Sequence, residues 1–342
     1  MEMLSNFSLI LGGNMWHSII SWFASWITNY GWAIIVFTIA LKLIMSPLDV
    51  YQRITSKKQQ KFMNVMQPEL QAIQQKYGND KNRLNQETAK VYKKYNFNMG
   101  GMCLSMLLTL GLSMVIFITL FSSLRSFGDK KLYESYDQLN SAYVEVVGDK
   151  SIKDLSENDI VNLNERIAIE YKDLEKQNSW LWVKNVWKKD SKESQFIDFE
   201  TYAEKKGVTG EAKDELYLRY NFITTRIDGD QTSPNGYYIL IILSVAISFV
   251  TQWLSQKLTM PKGQKLNSMN KIMMGIIPLT MLIFAFTSNV VFTLYIIVKS
   301  IMTAIISTIL ALTMKSKKGK DEDIVLPKKN VEVVEYSRNY KK

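Results

Sequence analysis

The chain has 342 residues, of which 47% are hydrophobic and 22% are charged, and its net charge is +10. It contains one cysteine, Cys103, and one histidine, His17. This excludes a disulfide framework, a zinc finger, a histidine-based catalytic triad and a metal site built from several Cys or His ligands. No P-loop motif occurs, so an ATP-driven motor within this chain is not expected.

Residues 1–30 are predicted to form an amphipathic helix on the outer surface of a membrane. Apolar residues from Trp16 to Tyr30 recur at helical spacing. The segment contains no Lys or Arg, so it lacks the basic start of a secretory signal. An aromatic-rich stretch of about 15 residues suits the membrane interface and is too short to cross the bilayer.

Five hydrophobic stretches have the length of membrane spans, which need roughly 20 apolar residues. They occupy residues 31–48, 99–122, 237–254, 272–288 and 290–314, so residues 237–314 carry spans three to five. Only Ser288 and Asn289 separate the last two spans, which predicts a tight hairpin. The predicted fold is an all-α polytopic membrane protein with a five-span helical bundle.

Residues 49–98 are predicted to form an antiparallel helical hairpin. Pro68 suits the first turn of a helix, because its missing N–H would have no partner there. Asn79 and Asp80 form the turn. Two apolar stripes face each other, comprising Leu70, Ile73 and Tyr77 on one helix and Leu84, Thr88, Val91, Tyr92 and Tyr95 on the other. The functional interpretation is a mobile basic arm that meets acidic partners, RNA or anionic head groups, and the alternative is a solvated spacer.

Residues 123–236 are predicted to form a mainly helical outer insert. Ser156 to Asp159 resemble a capping box that begins a helix ending near Gln177. A second helix is expected over about 210–227. The aromatic run 180–187 is expected to face the core of this insert or the membrane interface. Binding of a partner protein is one candidate role for the insert.

The loop charges predict the orientation of the chain. The net charge is +6 over 49–98 and +4 over both 255–271 and 315–342, whereas 123–236 holds 17 basic and 22 acidic residues. Basic loops and tails face the cytoplasm. We therefore expect a cytoplasmic hairpin, loop and C-terminal tail, and an N-terminus outside.

Short motifs occur in a fixed order along the hydrophobic blocks. They are Thr38 to Leu48, Val65-Met66-Gln67-Pro68-Glu69-Leu70, Lys76-Tyr77-Gly78, Val91-Tyr92-Lys93-Lys94-Tyr95, Gly101-Met102-Cys103-Leu104, Tyr237-Tyr238-Ile239-Leu240, Thr251-Gln252 and Leu294-Tyr295. Together they resemble the YidC/Oxa/Alb family of membrane protein insertases, over residues 31–122 and 234–314. The resemblance implies a helical bundle around a hydrophilic groove that opens to the cytoplasm and to lipid. It also implies a multi-pass protein of the bacterial plasma membrane.

Lys42 is the main candidate for a functional residue, because it lies near the middle of the first span. An ammonium group at that depth costs about 2.5–3.5 kcal/mol, so it should face the bundle interior or water. The resemblance implies an arginine at this position; lysine keeps the charge but lacks the planar fork that binds both oxygens of a carboxylate. Lys299 in the last span is a candidate second groove cation. For both residues the alternative is an ion pair or snorkelling to the interface.

Further polar side chains are candidates to line the groove beside Lys42. They are Ser105, Thr109, Ser113, Thr251, Gln252, Thr293, Ser300 and Thr303. Each Ser or Thr has the alternative of bonding its own helix backbone. Thr109-Leu110-Gly111 departs from the Gln-Met-Pro that the family commonly shows.

The sequence favours a non-enzymatic insertase and chaperone that moves short polar flanks of nascent membrane proteins across the membrane and releases their apolar segments into lipid. No cofactor, metal or DNA is expected. The basic tail and loops are candidates for ribosome contact, and the Sec translocon is a candidate partner. Two alternatives are a small-solute or ion transporter that uses the intramembrane lysines, and a docking protein that acts through its outer insert. The absence of an evident inverted repeat in the sequence disfavours a transporter.

Overall fold

A computed structural model describes residues 13–95, 99–148, 150–189, 196–227, 235–259 and 268–316. The side chains at 13–14, 57–64, 99–103, 105–106, 109–110, 259, 268–274, 277–278, 281 and 314–316 lie outside this description. The described helices are α1 Gly13–Trp26, α2 Tyr30–Tyr77, α3 Lys81–Lys94, α4 Met99–Val147, α5 Glu157–Asn178, α6 Phe199–Lys206, α7 Glu211–Arg226, α8 Tyr237–Thr259, α9 Ser268–Thr287 and α10 Val290–Ser316, with a short 3₁₀ turn at Ile152–Asp154. The protein is an all-α polytopic membrane protein.

Four helices of the described chain are long and apolar enough to cross a bilayer. The qualifying stretches are Tyr30–Ser56, Gly111–Asp154, Tyr237–Leu258 and Val290–Thr313. They overlap the predicted first, second, third and fifth spans. The predicted fourth span coincides with α9, many of whose side chains lie outside the description. α9 ends at Thr287 and α10 begins at Val290, as the Ser288-Asn289 turn predicts.

The first span and the first arm of the hairpin form one continuous helix, which corrects the expectation that Pro68 begins a new one. α2 runs for 48 residues and contains both Pro47 and Pro68. A proline inside a helix removes one backbone hydrogen bond and crowds one carbonyl. Here the helix is already nucleated by the long apolar segment before it, and propagation costs less than nucleation.

Contacts divide the chain into two compact units. Unit 1 comprises Met1–Ile44, Val115–Gln252 and Asn267–Met302, and unit 2 comprises Met45–Met114, Trp253–Leu266 and Thr303–Lys342. The core of unit 1 joins the inward faces of α1, α2, α8 and α10 to the insert formed by the second half of α4 and by α5 to α7. Because one hydrophobic core contains residues of both the spans and the insert, the insert folds against the spans and is not a detached domain.

The insert is built around α4, which continues far beyond the predicted end of the second span. Its residues Tyr136 and Tyr143 are fully buried, and Tyr202 of α6 packs edge-to-face on Tyr136 with ring centroids 4.5 Å apart. Aromatic pairs at this distance add about 0.5–1.5 kcal/mol beyond their burial. The sequence analysis did not predict α6.

The predicted start of α5 is confirmed. The hydroxyl of Ser156 accepts a hydrogen bond from the backbone N–H of Asp159, and the Asp159 carboxylate accepts one from the N–H of Ser156. These two bonds form the capping box that the sequence indicated. The second predicted helix of the insert is also present, as α7 over Glu211–Arg226.

Unit 2 contains the hairpin of α2 and α3. Asp80 caps the start of α3 by accepting a hydrogen bond from the backbone N–H of Arg83. Val91 is buried and the other members of the two predicted apolar stripes are half-buried, while Met66, which belongs to neither stripe, is also buried. The predicted turn at Asn79 and Asp80 is therefore confirmed.

Candidate functional site

Lys42 lies on the protein-facing side of the first span. Its helical neighbours Ile34, Phe37 and Thr38 are at most 2% exposed, and Lys42 itself is 7% exposed. The opposite side of the helix carries exposed apolar side chains, including Leu43 at 56%. Since residues four apart in a helix lie on the same face, Lys42 shares the buried stripe. This arrangement places a cation inside unit 1.

Lys299 lies beside aromatic rings of unit 1. Its ammonium nitrogen is 5.7 Å from the ring centroid of Phe117 on α4 and 5.7 Å from that of Tyr295 on α10. These distances lie within the range of cation–π attraction. The side chain is half-buried. The second intramembrane lysine thus has aromatic neighbours that stabilise its charge.

Two polar candidates of unit 1, Thr293 and Ser300, connect α10 to α8. The hydroxyls of Ser248 and Ser300 are 3.3 Å apart, and Gln252, one turn further along α8, is half-buried. Thr293 is fully buried, and its hydroxyl lies 2.8 Å from the hydroxyl of Tyr237. Thr293 therefore contributes to a buried contact between the two helices.

Four candidates belong to unit 2. Ser113 is exposed and Thr303 is half-buried, whereas the side chains of Ser105 and Thr109 lie outside the description. The carbonyl of Thr303 accepts a hydrogen bond from the Ser307 hydroxyl, which also lies 3.2 Å from the hydroxyl of Ser255 on α8. Assignment of these four candidates to a groove remains a prediction from the sequence.

The sequence analysis did not predict that helix contacts are made by Ser248, Ser255 and Ser307. A signal was present in the sequence, because Thr293, Ser300 and Ser307 recur at intervals of seven residues along α10. Seven residues are close to two helical turns, so the three side chains lie on one face. Small polar residues allow close approach and hydrogen bonding of membrane helices.

Glu69, one of the hairpin residues singled out by the motifs, forms a specific contact with the end of α3. Glu69 of α2 binds the ammonium of Lys94 at 3.0 Å and accepts a hydrogen bond from the Tyr95 hydroxyl at 2.7 Å. Partial burial and the hydrogen bond to Glu69 raise the pKa of Tyr95 to about 12. Pro68 is exposed, and Tyr77 and Tyr92 are half-buried. The Glu69 contacts fasten the end of α3 to α2.

The amphipathic helix α1 packs on protein through part of its predicted apolar stripe. Trp16 and Ile20 are buried, and the Trp16 indole N–H donates to the Thr119 hydroxyl at 3.1 Å. Trp22 and Trp26 are 55% and 76% exposed and leave an aromatic surface on the other side. Burial, and then the charge of Lys130, lower the pKa of His17.

A short segment after α5, residues 179–188, joins the insert to the starts of three spans. We call it the connector. The side chain of Asn29, just before α2, donates to the carbonyl of Ser179 at 2.6 Å. The backbone N–H of Val291, in α10, donates to the carbonyl of Val186 at 3.1 Å. The indole N–H of Trp182 donates to the carbonyl of Gly236, just before α8, at 3.2 Å. The sequence analysis did not predict this role.

The connector contains a strained turn. Trp180 and Val183 exchange two backbone hydrogen bonds of 2.8 Å, and Leu181 between them has a φ of 52°. A left-handed backbone costs a non-glycine residue about 1–2 kcal/mol. Such strain persists only where the surrounding structure enforces it, here through the buried Val183 and the hydrogen bond of Trp182.

These features define a polytopic helical membrane protein with cations in its spans and a helical insert. Residues 22–318 match the family described as 60Kd inner membrane protein. The chain therefore belongs to that family, within the YidC/Oxa/Alb group that the motifs indicated.

Curated relatives carry the name Membrane protein insertase YidC. The protein from Leptospira interrogans is 37% identical over 135 residues, which cover 40% of this chain and 18% of the relative. The protein from Clostridium tetani is 46% identical over 80 residues, 23% of this chain and 34% of the relative. That from Caldanaerobacter subterraneus is 38% identical over 102 residues, 30% of this chain and 46% of the relative. The chain thus matches less than half the length of these relatives.

Proposed function

We propose that this protein is an insertase and chaperone for membrane proteins. The observation that carries the proposal is Lys42, a nearly buried cation on the protein-facing side of an apolar span, in a chain whose relatives are named as insertases. A charge at bilayer depth is costly and is by default a functional feature. The proposed role is to attract acidic flanks of substrate proteins. The protein itself acts without enzymatic chemistry or a cofactor.

The proposed mechanism follows from the cost of moving polar groups through hydrocarbon about 30 Å thick. A hydrated, cationic groove that reaches partway across the membrane shortens this barrier. Lys42 supplies the attraction for acidic groups, Gln252 supplies an amide, and Lys299 supplies a second positive charge. The apolar segment of the substrate then enters lipid with a gain of roughly 0.3–0.6 kcal/mol for each Leu, Ile, Phe or Val.

The membrane potential supplies a further driving force in this proposal. Each elementary charge that crosses 100 mV contributes about 2.3 kcal/mol. In a bacterial plasma membrane, where the outside is positive, this force moves acidic flanks outward. A substrate with two acidic residues in its short flank therefore gains several kcal/mol without hydrolysis of a nucleotide.

The proposed topology has an outer N-terminal helix (1–30), an outer insert (123–236), and a cytoplasmic hairpin (49–98), loop (255–271) and tail (315–342). The charge asymmetry of these segments supports it. Residues 260–267 of the basic loop and 317–342 of the tail lie outside the described residues. We propose that these basic segments contact the ribosome, and that the Sec translocon is a further partner.

Reconstitution of the purified full chain into liposomes tests the proposal. The substrate is a single-span protein with a short acidic N-terminal flank, added during its synthesis. An insertase makes that flank resistant to external protease, relative to protein-free liposomes. Solute or ion flux without protection would indicate the transporter instead, and neither flux nor protection would indicate a docking protein; both results would contradict the proposal.

A further inference from the structure

The tip of the connector turn presents two partly exposed apolar side chains. Leu181 is 65% exposed and Trp182 is 44% exposed, whereas Val183 directly after them is 1% exposed. Val183 therefore holds the turn to the core, while the Leu181 side chain and part of the Trp182 side chain remain exposed. Isolated exposed apolar residues are common on soluble surfaces, so exposure alone decides nothing about this tip.

The position of the turn is more informative than its exposure. Trp180 packs so closely on Gly31, the second residue of α2, that a Cβ atom at that glycine would overlap the indole. The ring of Trp32 lies 5.9 Å from that of Trp180. On the other side, Trp182 bonds the residue directly before α8. The turn therefore lies at the level where two membrane spans begin.

The surface around the turn is also typical of a membrane interface. Trp32 at the start of α2 is 51% exposed, and Tyr238 and Ile239 at the start of α8 are 53% and 59% exposed. Trp and Tyr are enriched at the boundary between lipid tails and head groups, because their rings are apolar while the N–H or O–H stays hydrated. The exposed tip is continuous with the surface that these spans present to lipid.

From this placement we propose that Leu181 and Trp182 insert into the lipid interface at the membrane face where α2, α8 and α10 begin. The turn then anchors the insert to the bilayer as well as to the spans. A glycine would adopt the backbone of residue 181 without strain. The leucine side chain adds apolar area at the one point of the connector that meets lipid. The occupant of this surface is the bilayer itself, and this inference does not depend on insertase activity.

Site-directed spin labelling of the full chain tests the anchor. The single cysteine is replaced in a Cys103→Ser background, and one label is attached at Leu181→Cys. Trp182→Cys is a second test position. Ile242→Cys is the lipid reference, since Ile242 is 71% exposed on α8. Val161→Cys on α5 is the matched surface control; it is 62% exposed and lies about 25 Å along that helix from the connector.

The measurement compares collisions of each label with oxygen, which is concentrated in lipid, and with a water-soluble nickel chelate. The protein is reconstituted in bilayers of phosphatidylethanolamine and phosphatidylglycerol. We expect oxygen collisions to predominate at 181 and 182, as at 242, and nickel collisions to predominate at 161. Predominant nickel collisions at 181 and 182 would overturn the anchor. Exclusion of both reagents would also overturn it, since the tip would then be covered by protein.

Discussion

The insert and the hairpin were both predicted from amphipathic helices, yet their interiors differ. The insert buries whole aromatic side chains, including Tyr136, Tyr143 and Tyr202. In the described part of the hairpin, Met66 and Val91 are the buried side chains, and a polar contact at Glu69 joins its helices. Burial of large apolar area stabilises far more than a partly exposed ion pair. The comparison indicates a rigid insert and a hairpin that opens at low cost.

Removal of an aromatic side chain from the insert should produce the largest loss of stability. Tyr202→Ala leaves a cavity beside Tyr136 and removes the hydrogen bond to Asp137. We expect the free energy of local opening over residues 196–227 to fall by about 3–5 kcal/mol. Hydrogen exchange measured by mass spectrometry reports this quantity. The control is Tyr217→Ala, which truncates a 47% exposed tyrosine of α7. Similar losses in the two variants would contradict a packed core.

The capping box at the start of α5 should contribute less to the stability of the insert than the buried Tyr202. Ser156→Ala removes the acceptor for the Asp159 backbone N–H and should cost about 1 kcal/mol. Hydrogen exchange of residues 157–165 measures the loss, with Ser141→Ala on an exposed position of α4 as the control. Equal exchange in the two variants would show that the cap does not stabilise the helix.

The stability that this cap contributes should depend on pH. Hydrogen bonding, first from the Ser156 backbone, lowers the pKa of Asp159 below its usual 3.8. A carboxyl group whose pKa is lower in the folded state stabilises that state above the unfolded pKa. The contribution is therefore lost as the pH falls below 3.8. Exchange at the start of α5, corrected for the intrinsic effect of pH, should rise in this range in wild type more than in Asp159→Asn, which has no carboxyl group to protonate at this position.

The hairpin contact should have the smallest effect. Glu69→Gln removes the ion pair with Lys94. Because the Glu69 and Lys94 side chains are 29% and 43% exposed, the free energy that protects residues 81–95 from hydrogen exchange should fall by about 1 kcal/mol or less. Lys90→Met, which removes a more exposed pair with Glu87, is the matched control. A loss as large as that of Tyr202→Ala would contradict the contrast between a rigid insert and a loosely closed hairpin.

Local signals in the sequence predicted much of this fold, because they depend on neighbouring residues. The capping box at Ser156, the turn at Asp80 and the long apolar stretches of the spans are such signals. α6 also has local signals in its sequence, since Asp198 caps its start and Gly207 ends it with a φ of 68°. At eight residues, however, the helix is too short for its apolar period to be recognised.

Other features depend on contacts far apart in the chain and were not predictable in this way. Pro68 is favourable at a helix start, but the helix before it continues through it. The strained turn at Leu181 is one of them, since its neighbours Trp180 and Trp182 pack on Gly31 and Gly236, which are far away in the chain. For the candidate site, the position of Lys42 near the middle of a span was predictable from the sequence. That Lys42 lies on the protein-facing side of the helix is apparent only from the fold.

The charge of Lys42 is the central claim, and its reversal tests that claim most directly. Lys42→Glu and Lys42→Arg are compared with wild type in proteoliposomes, using the acidic-flank substrate and the same substrate with a neutral flank. We expect Lys42→Glu to lower protection of the acidic flank at least tenfold, Lys42→Arg to retain it, and the neutral flank to change little; a tenfold loss corresponds to about 1.4 kcal/mol. Wild-type insertion of the acidic flank by a folded Lys42→Glu protein would contradict the account.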